Sequence, residues 1–207
     1  ANVKNIVSMI PGLGYALSGN SLRGRALGAV ATFLYGIALR CNKSVFLQNE
    51  EDLNLFVNRG VLRKDQAVLI NGSGVDLTYF FPSKSRSKNG RFVLLARMIR
   101  EKGIEEFVSA ARVLKRDYPR AEFLLAGGLD SNPSSLRRSN LEAWEAEGIV
   151  KYLGYVEDVL PVLQKATAFV LPTYYREGVP RPILEALASG LPVITTDWPG
   201  CRTTVIE

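Results

Sequence analysis

Arg176-Glu177-Gly178-Val179-Pro180-Arg181-Pro182-Ile183-Leu184-Glu185-Ala186-Leu187-Ala188-Ser189-Gly190 lies between two apolar runs, Ala168-Phe169-Val170-Leu171-Pro172 and Pro192-Val193-Ile194-Thr195-Thr196. Both runs read as buried strands. Pro182 suits the first turn of a helix, where its missing N–H is no loss, and Gly190 suits the C-terminal stop. The unit therefore reads strand, loop, short helix, strand, the repeating element of a parallel sheet with crossover helices. Glu177 falls in the loop above the carboxyl end of the first strand, and Glu185 is expected in the first turn of the helix. Two carboxylates are thus expected at the kind of crevice where open parallel sheets bind ligands.

Upstream the alternation continues. Residues 92–96 and 122–126 read as strands, the second ended by Gly127-Gly128. Between them residues 104–116 place Phe107, Ala110, Ala111 and Leu114 at helical spacing. Helices are expected near 140–147 and 158–165, and a strand at 150–153. This regular alternation predicts an α/β fold with a doubly wound parallel sheet. Closer to the start, residues 26–39 read as a helix, 44–47 and 66–70 as strands, and 50–57 as a helix with acids at its dipole-favoured start. The polar stretch 82–90 lacks periodicity and fits a linker, so a domain boundary is expected between about 72 and 90, dividing the chain into residues 1–75 and 76–207.

The 207 residues carry a formal charge of +6 and have a pI of about 9.4. An anionic partner is implied, without separating nucleic acid, phosphorylated metabolite and anionic membrane. Residues 84–120 hold eleven Lys or Arg against four acids, an excess that a solvated helix face explains equally well. There is no histidine, and Cys41 and Cys201 stand alone. A zinc site, a disulfide framework and a His-based triad are disfavoured, and a reducing, cytoplasmic location is the simplest reading. The opening residues lack a signal-peptide pattern. The apolar segment 26–39 falls short of the roughly 20 residues that a spanning helix needs. The chain opens without Met on an apolar run and stops at Val205-Ile206-Glu207 without a closing helix. The natural N-terminus is therefore expected well upstream, and the C-terminal end is expected to be cut.

Pro11-Gly12-Leu13-Gly14-Tyr15-Ala16-Leu17-Ser18-Gly19 follows a strand and invites comparison with a dinucleotide fingerprint. The third small residue should fall at position 17, where Leu17 stands. The acid that should hold a ribose is missing too, since the first acid after the turn is Glu50. A loop near a substrate and a plain tight turn remain open.

Arg97-Met98-Ile99-Arg100-Glu101-Lys102-Gly103 leaves one strand and enters a helix. Cations beside free N–H groups at a helix start make a site for a diphosphate; ordinary surface charge is the competing reading. Glu177 and Glu185, eight apart, also fit the acid and base of a glycosidase if their carboxyls face each other across a scissile bond. Glu185 at a helix N-terminus would instead be held ionised, as an acceptor for a sugar diol.

Several motifs in order carry a resemblance. Arg97 with Lys102-Gly103, Gly154-Tyr155-Val156-Glu157-Asp158-Val159, Glu177-Gly178-Val179-Pro180 and Glu185-Ala186-Leu187-Ala188-Ser189-Gly190-Leu191-Pro192-Val193-Ile194 resemble the nucleotide-sugar half of a retaining glycosyltransferase of family 4 (group 1). Thr173-Tyr174-Tyr175, Asn71-Gly72-Ser73-Gly74-Val75-Asp76 and Pro11-Gly12-Leu13-Gly14-Tyr15 are similar to bacterial enzymes that extend a glycan on undecaprenyl diphosphate.

The resemblance implies a two-domain GT-B fold with a nucleotide-sugar donor, UDP-linked, bound between the domains. It assigns Arg97 and Lys102 to the diphosphate and Glu185 to the ribose. Main-chain groups near Tyr155 and Val156 would meet the base. Glu177, as the catalytic residue, would contact the donor sugar with the backbone of Gly178, Val179 and Pro180. It implies no metal and no cofactor, a lipid-linked glycan acceptor, peripheral placement on the inner face of the plasma membrane, and no nucleic acid. Most of the N-terminal, acceptor-side domain is lacking, including a histidine-bearing loop, and residues 1–75 would be its closing part. The chain is accordingly expected to bind nucleotide weakly and to transfer no sugar. The competing class, a basic module for nucleic acid or a membrane surface, explains the pI but not the two glutamates.

Overall fold

The computed structural model describes residues 5–14, 17, 22–83 and 90–205, with Leu22 and Arg23 as backbone only. The expected linker lies largely outside the described residues, as do parts of the Gly-rich stretch and both chain ends. The chain forms two compact units. The first comprises Ala1–Gly74, Tyr175–Arg181 and Asp197–Glu207, the second Val75–Tyr174 and Pro182–Thr196.

The first unit holds a three-stranded parallel sheet in the order β1 (Val7–Ile10), β2 (Ser44–Leu47), β3 (Ala67–Leu69), with helices α1 (Leu22–Leu39) and α2 (Glu50–Asn58). Central β2 turns Val45 and Leu47 into a core completed by Ile10, Leu39, Phe56 and Leu62. Tyr35 of α1 packs on Phe56 of α2 with ring centroids 5.2 Å apart. Asn49 starts α2: its Oδ1 accepts the Asp52 N–H at 2.8 Å, satisfying one of the donors that a helix start leaves open.

The second unit holds a five-stranded parallel sheet in the order β6 (Lys151–Tyr152), β5 (Glu122–Ala126), β4 (Arg91–Leu95), β7 (Ala168–Leu171), β8 (Val193–Thr195). Its helices are α3 (Ile104–Asp117), α4 (Arg138–Ala146), α5 (Leu160–Gln164) and α6 (Arg181–Ala188), the last beginning on the final residue of a first-unit segment. Val93, Leu94 and Leu95 are all buried, as they must be in a strand covered on both faces. Phe123 of β5 stacks on Phe92 at 5.2 Å and meets Phe107 of α3 edge-on at 5.8 Å. From β4 the chain adds β5 and β6 on one side, then crosses to add β7 and β8 on the other. That reversal is the switch point beside which open α/β sheets form their crevice.

The expected elements form with small shifts in their ends, and one shift matters. Helix α6 begins at Arg181, so Glu185 is its fifth residue and sits in the second turn, not the first; no acid lies in the first turn. Arg181 already adopts helical geometry ahead of Pro182, which moves the start forward by one residue.

Candidate functional site

In the second unit, β4 and β5 end side by side. Ala96 N–H donates to Ala126 O at 3.0 Å, and Gly127 N–H then turns to Gly154 O at 2.7 Å. Beyond these ends opens a cleft of about 210 Å³, lined by residues that include Ala96, Arg97, Gly127, Gly128, Tyr155, Val156, Pro182 and Glu185. The cleft thus gathers Arg97, Tyr155, Val156 and Glu185, four of the residues singled out in the sequence, from two separate loops and one helix. Tyr155 is 79% exposed, its ring standing at the rim. The Asp158 carboxylate accepts both the Tyr79 hydroxyl at 2.7 Å and the Leu160 N–H at 3.0 Å, which holds the segment behind Tyr155 in place.

Lys102 does not line the cleft. It is buried in a 3₁₀ turn, Arg100–Lys102, on the same loop as Arg97. Gly103 closes that turn at φ +74°, a left-handed conformation that favours glycine, and a Cβ there would overlap Pro172 O. The Glu101 carbonyl accepts the Tyr174 N–H at 2.8 Å and the Thr173 hydroxyl at 3.1 Å, tying the turn to the exit of β7.

Arg97 is held by a residue that sequence reasoning missed. Its Nη1 donates to Asp130 Oδ2 at 2.7 Å, while Asp130 Oδ1 accepts the Asn132 N–H at 2.8 Å. The Asn132 N–H, and after it the Arg97 guanidinium, hold the Asp130 carboxyl below the usual carboxylate range. The loop grips the Arg97 segment along its backbone as well: Met98 N–H to Gly128 O at 2.9 Å, Leu136 N–H to Met98 O at 2.8 Å, Arg100 N–H to Ser134 O at 3.1 Å. The signal was the run Asp130-Ser131-Asn132-Pro133-Ser134-Ser135, rich in residues that bond their own backbone.

Glu177, Gly178, Val179 and Pro180 belong to the first unit. Here the Gly-rich turn finds its use: Gly14 N–H donates to Arg176 O at 2.7 Å, and Gly178 N–H donates to Pro11 O. Gly12 lies so close that a Cβ would fall 2.5 Å from Glu177 Cα. The described part of the turn is a docking surface for backbone, which accounts for Gly12 and Gly14 without a dinucleotide. Three further residues, of which the sequence marked only Asp52 and only as an acid at a helix start, complete the seat. Gln48 Oε1 accepts the Val179 N–H at 3.0 Å, Asn49 Nδ2 reaches Glu177 O at 3.4 Å, and Asp52 Oδ1 accepts Arg176 Nε at 2.8 Å. Among the described residues no three His, Cys, Asp or Glu side chains converge as metal ligands, and no helix is long and apolar enough to cross a membrane.

A doubly wound sheet whose carboxyl edge carries a cation, a carboxylate and an exposed aromatic ring around one cleft is an α/β fold of the ligand-binding kind. Residues 89–207 match the family described as Glycosyl transferases group 1, and the chain belongs to that family. It is 30% identical, over 94% of its length, to an N,N'-diacetylbacillosaminyl-diphospho-undecaprenol alpha-1,3-N-acetylgalactosaminyltransferase of Campylobacter jejuni, spanning 53% of that protein. Among solved structures it is similar to Anabaena Alr3699/HepE in complex with UDP and glucose, with a TM-score of 0.71 at 17% identity, over 98% of this chain and 55% of that one. It is also similar to the pneumococcal O-GlcNAc transferase GtfA in complex with UDP and GlcNAc, with a TM-score of 0.69 at 18% identity, over 98% of this chain and 39% of that one. The fold is α/β of the GT-B type. The chain spans about half the length of the relative and of the Anabaena protein, and less of the pneumococcal one.

Proposed function

We propose that the chain is the donor-binding part of a retaining glycosyltransferase that moves a sugar from UDP to a lipid-linked glycan at the inner face of the plasma membrane. The observation that carries the reading is the single cleft shared by Arg97, Tyr155, Val156 and Glu185. The UDP held by the similar structures and the diphospho-undecaprenol of the relative's name support the donor and the acceptor class. In this reading residues 1–75 are the closing part of an acceptor-side domain, and residues 76–207 are the nucleotide-sugar domain.

Glu185 takes the ribose hydroxyls, and the backbone near Tyr155 and Val156 takes the base. Arg97 and Lys102 meet the diphosphate, with the start of α3 adding its dipole. As the sugar–phosphate bond breaks, negative charge grows on the leaving diphosphate, and fixed cations stabilise that charge more than the ground state. Glu177, with the backbone of Gly178, Val179 and Pro180, takes the donor sugar. The acceptor oxygen attacks from the face the leaving group vacates, which retains the anomeric configuration.

Titration of the 207-residue chain with UDP and with uridine tests the reading. UDP should bind saturably and weakly, and Lys102→Ala should weaken UDP while leaving uridine unchanged. Equal loss for both ligands removes the diphosphate role, because uridine has no phosphate for Lys102 to hold. Measurable sugar transfer by the chain alone overturns the division into a donor part and an acceptor part.

A further inference from the structure

We infer that Gln48, Asn49 and Asp52, at the junction of β2 and α2, are positioning residues for Glu177. The inference rests on the assignment of Glu177 and its neighbours to the donor sugar. It says what fixes them there.

Gln48 is 4% exposed, Asn49 1% and Asp52 2%. Burying three polar side chains in a row of five residues is unfavourable unless each finds a partner. Their partners lie well over a hundred residues away in sequence. Glu177 O is reached by Asn49 Nδ2, Gly178 N–H by Pro11 O, and Val179 N–H by Gln48 Oε1. Two successive peptide groups are thus gripped, 177–178 through both its C=O and its N–H and 178–179 through its N–H. Arg176, the residue before them, is fixed through Nε to Asp52 Oδ1, and Asn49 Nδ2 also donates to Asp52 Oδ2 at 3.1 Å.

Asn49 links the two tasks. Its Oδ1 caps α2 while its Nδ2 serves the loop, so the frame that receives Glu177 is locked to a helix start. With the preceding peptide also held, through Arg176 O by the Gly14 N–H, the chain on both sides of the Glu177 Cα has little freedom to turn, and that Cα is set before any ligand arrives. Preorganisation of this kind lowers the cost of orienting a binding group. Gln48, Asn49 and Asp52 thus act through the loop.

The test uses Gln48→Met, which keeps the bulk and removes the acceptor, and Gln48→Glu, which keeps an acceptor oxygen. Two quantities are read on the 207-residue chain: hydrogen exchange of the Val179 amide, and affinity for UDP against UDP-GalNAc, UDP-GlcNAc, UDP-glucose and UDP-galactose. In Gln48→Met the Val179 amide should lose protection, and the preference for the best UDP-sugar over UDP should fall about fivefold, the effect of one hydrogen bond. UDP itself should bind within about twofold of the unsubstituted chain, because the partners of Gln48 lie in the sugar-assigned loop. Gln48→Glu should restore the preference.

A preference unchanged in Gln48→Met overturns the inference alone. So does a parallel loss of UDP affinity and melting temperature, which marks a purely structural role. If the unsubstituted chain binds UDP but no UDP-sugar more tightly, the assignment of Glu177 to the sugar falls, and the inference with it.

Discussion

Arg97 and Asp130 form an ion pair at 2.7 Å at the mouth of the cleft, and the partner carboxylate is itself fixed by the Asn132 backbone. Arg97 is half exposed, so the pair's worth lies in direction more than in stability. One guanidinium nitrogen is committed to Asp130, which sets where the rest of the fork can point. Arg97→Ala should weaken UDP about tenfold, the usual scale for a charge-assisted hydrogen bond, and leave uridine unchanged. Isothermal titration with both ligands checks it.

The same pair has a pH signature. The folded-state value of Asp130 is depressed, by the Asn132 N–H first and Arg97 second. Its contribution is therefore complete above the ordinary carboxylate value of about 4 and is lost as pH falls through the lowered folded value. The loop around Asn132 should keep its order from neutral pH down to about pH 4 and loosen below it. Asp130→Asn should abolish that acid limb in NMR spectra of the Asn132 amide, which would otherwise shift as the carboxyl protonates.

The Arg176 and Asp52 pair is of another kind. Asp52 is 3% exposed by side chain, whereas Arg176 is 22% exposed. Removing the arginine leaves a buried carboxylate without its main counter-charge, a change that typically costs about 3–5 kcal/mol. Arg176→Ala should lower the urea midpoint strongly. Arg63→Ala, which breaks the largely exposed pair with Asp65, should lower stability by less than about 1 kcal/mol.

Gly12→Ala tests the backbone seat directly. The added Cβ would meet the Glu177 Cα at 2.5 Å and Gly178 N at 2.7 Å, both backbone atoms that cannot swing aside. Overpacking of this sort typically costs about 1–3 kcal/mol. A melting temperature lowered in Gly12→Ala but not in Gly36→Ala, where a Cβ meets nothing within 4 Å, is the expected result.

The sheet of the second unit was readable because each strand is a short apolar run bounded by turn residues, and a parallel strand covered on both faces has no other pattern to show. Residues 122–126 and 168–171 are cases in point. The seat of Glu177 was not readable. Gln48, Asn49 and Asp52 look like ordinary polar residues at a helix start, and their partners are fixed only when a distant loop arrives. Asp130 escaped notice because a run of Asp, Ser, Asn and Pro signals a turn whether or not the turn holds anything. The Gly-rich stretch showed its need for close approach but not what approaches, and only the contact of Gly12 with Glu177 tells backbone docking from phosphate binding.

Glu185 carries the last prediction. It sits in the second turn of α6, so the dipole at the helix start contributes less there than a first-turn position would, and its role rests on the cleft wall it shares with Arg97 and Tyr155. A carboxylate that accepts from both ribose hydroxyls should discriminate by sugar and not by phosphate. Glu185→Gln should therefore weaken uridine and UDP by the same factor, about tenfold for hydrogen bonds to a charged acceptor. The unsubstituted chain should bind 2'-deoxyuridine diphosphate more weakly than UDP, and the substitution should shrink that difference, because the lost hydroxyl and the lost charge belong to one interaction. Glu185→Ala that weakens UDP yet leaves uridine unchanged would place the carboxylate away from the ribose. Affinities of uridine, UDP and the deoxy ligand for the unsubstituted and substituted chains decide between these outcomes without any measurement of sugar transfer.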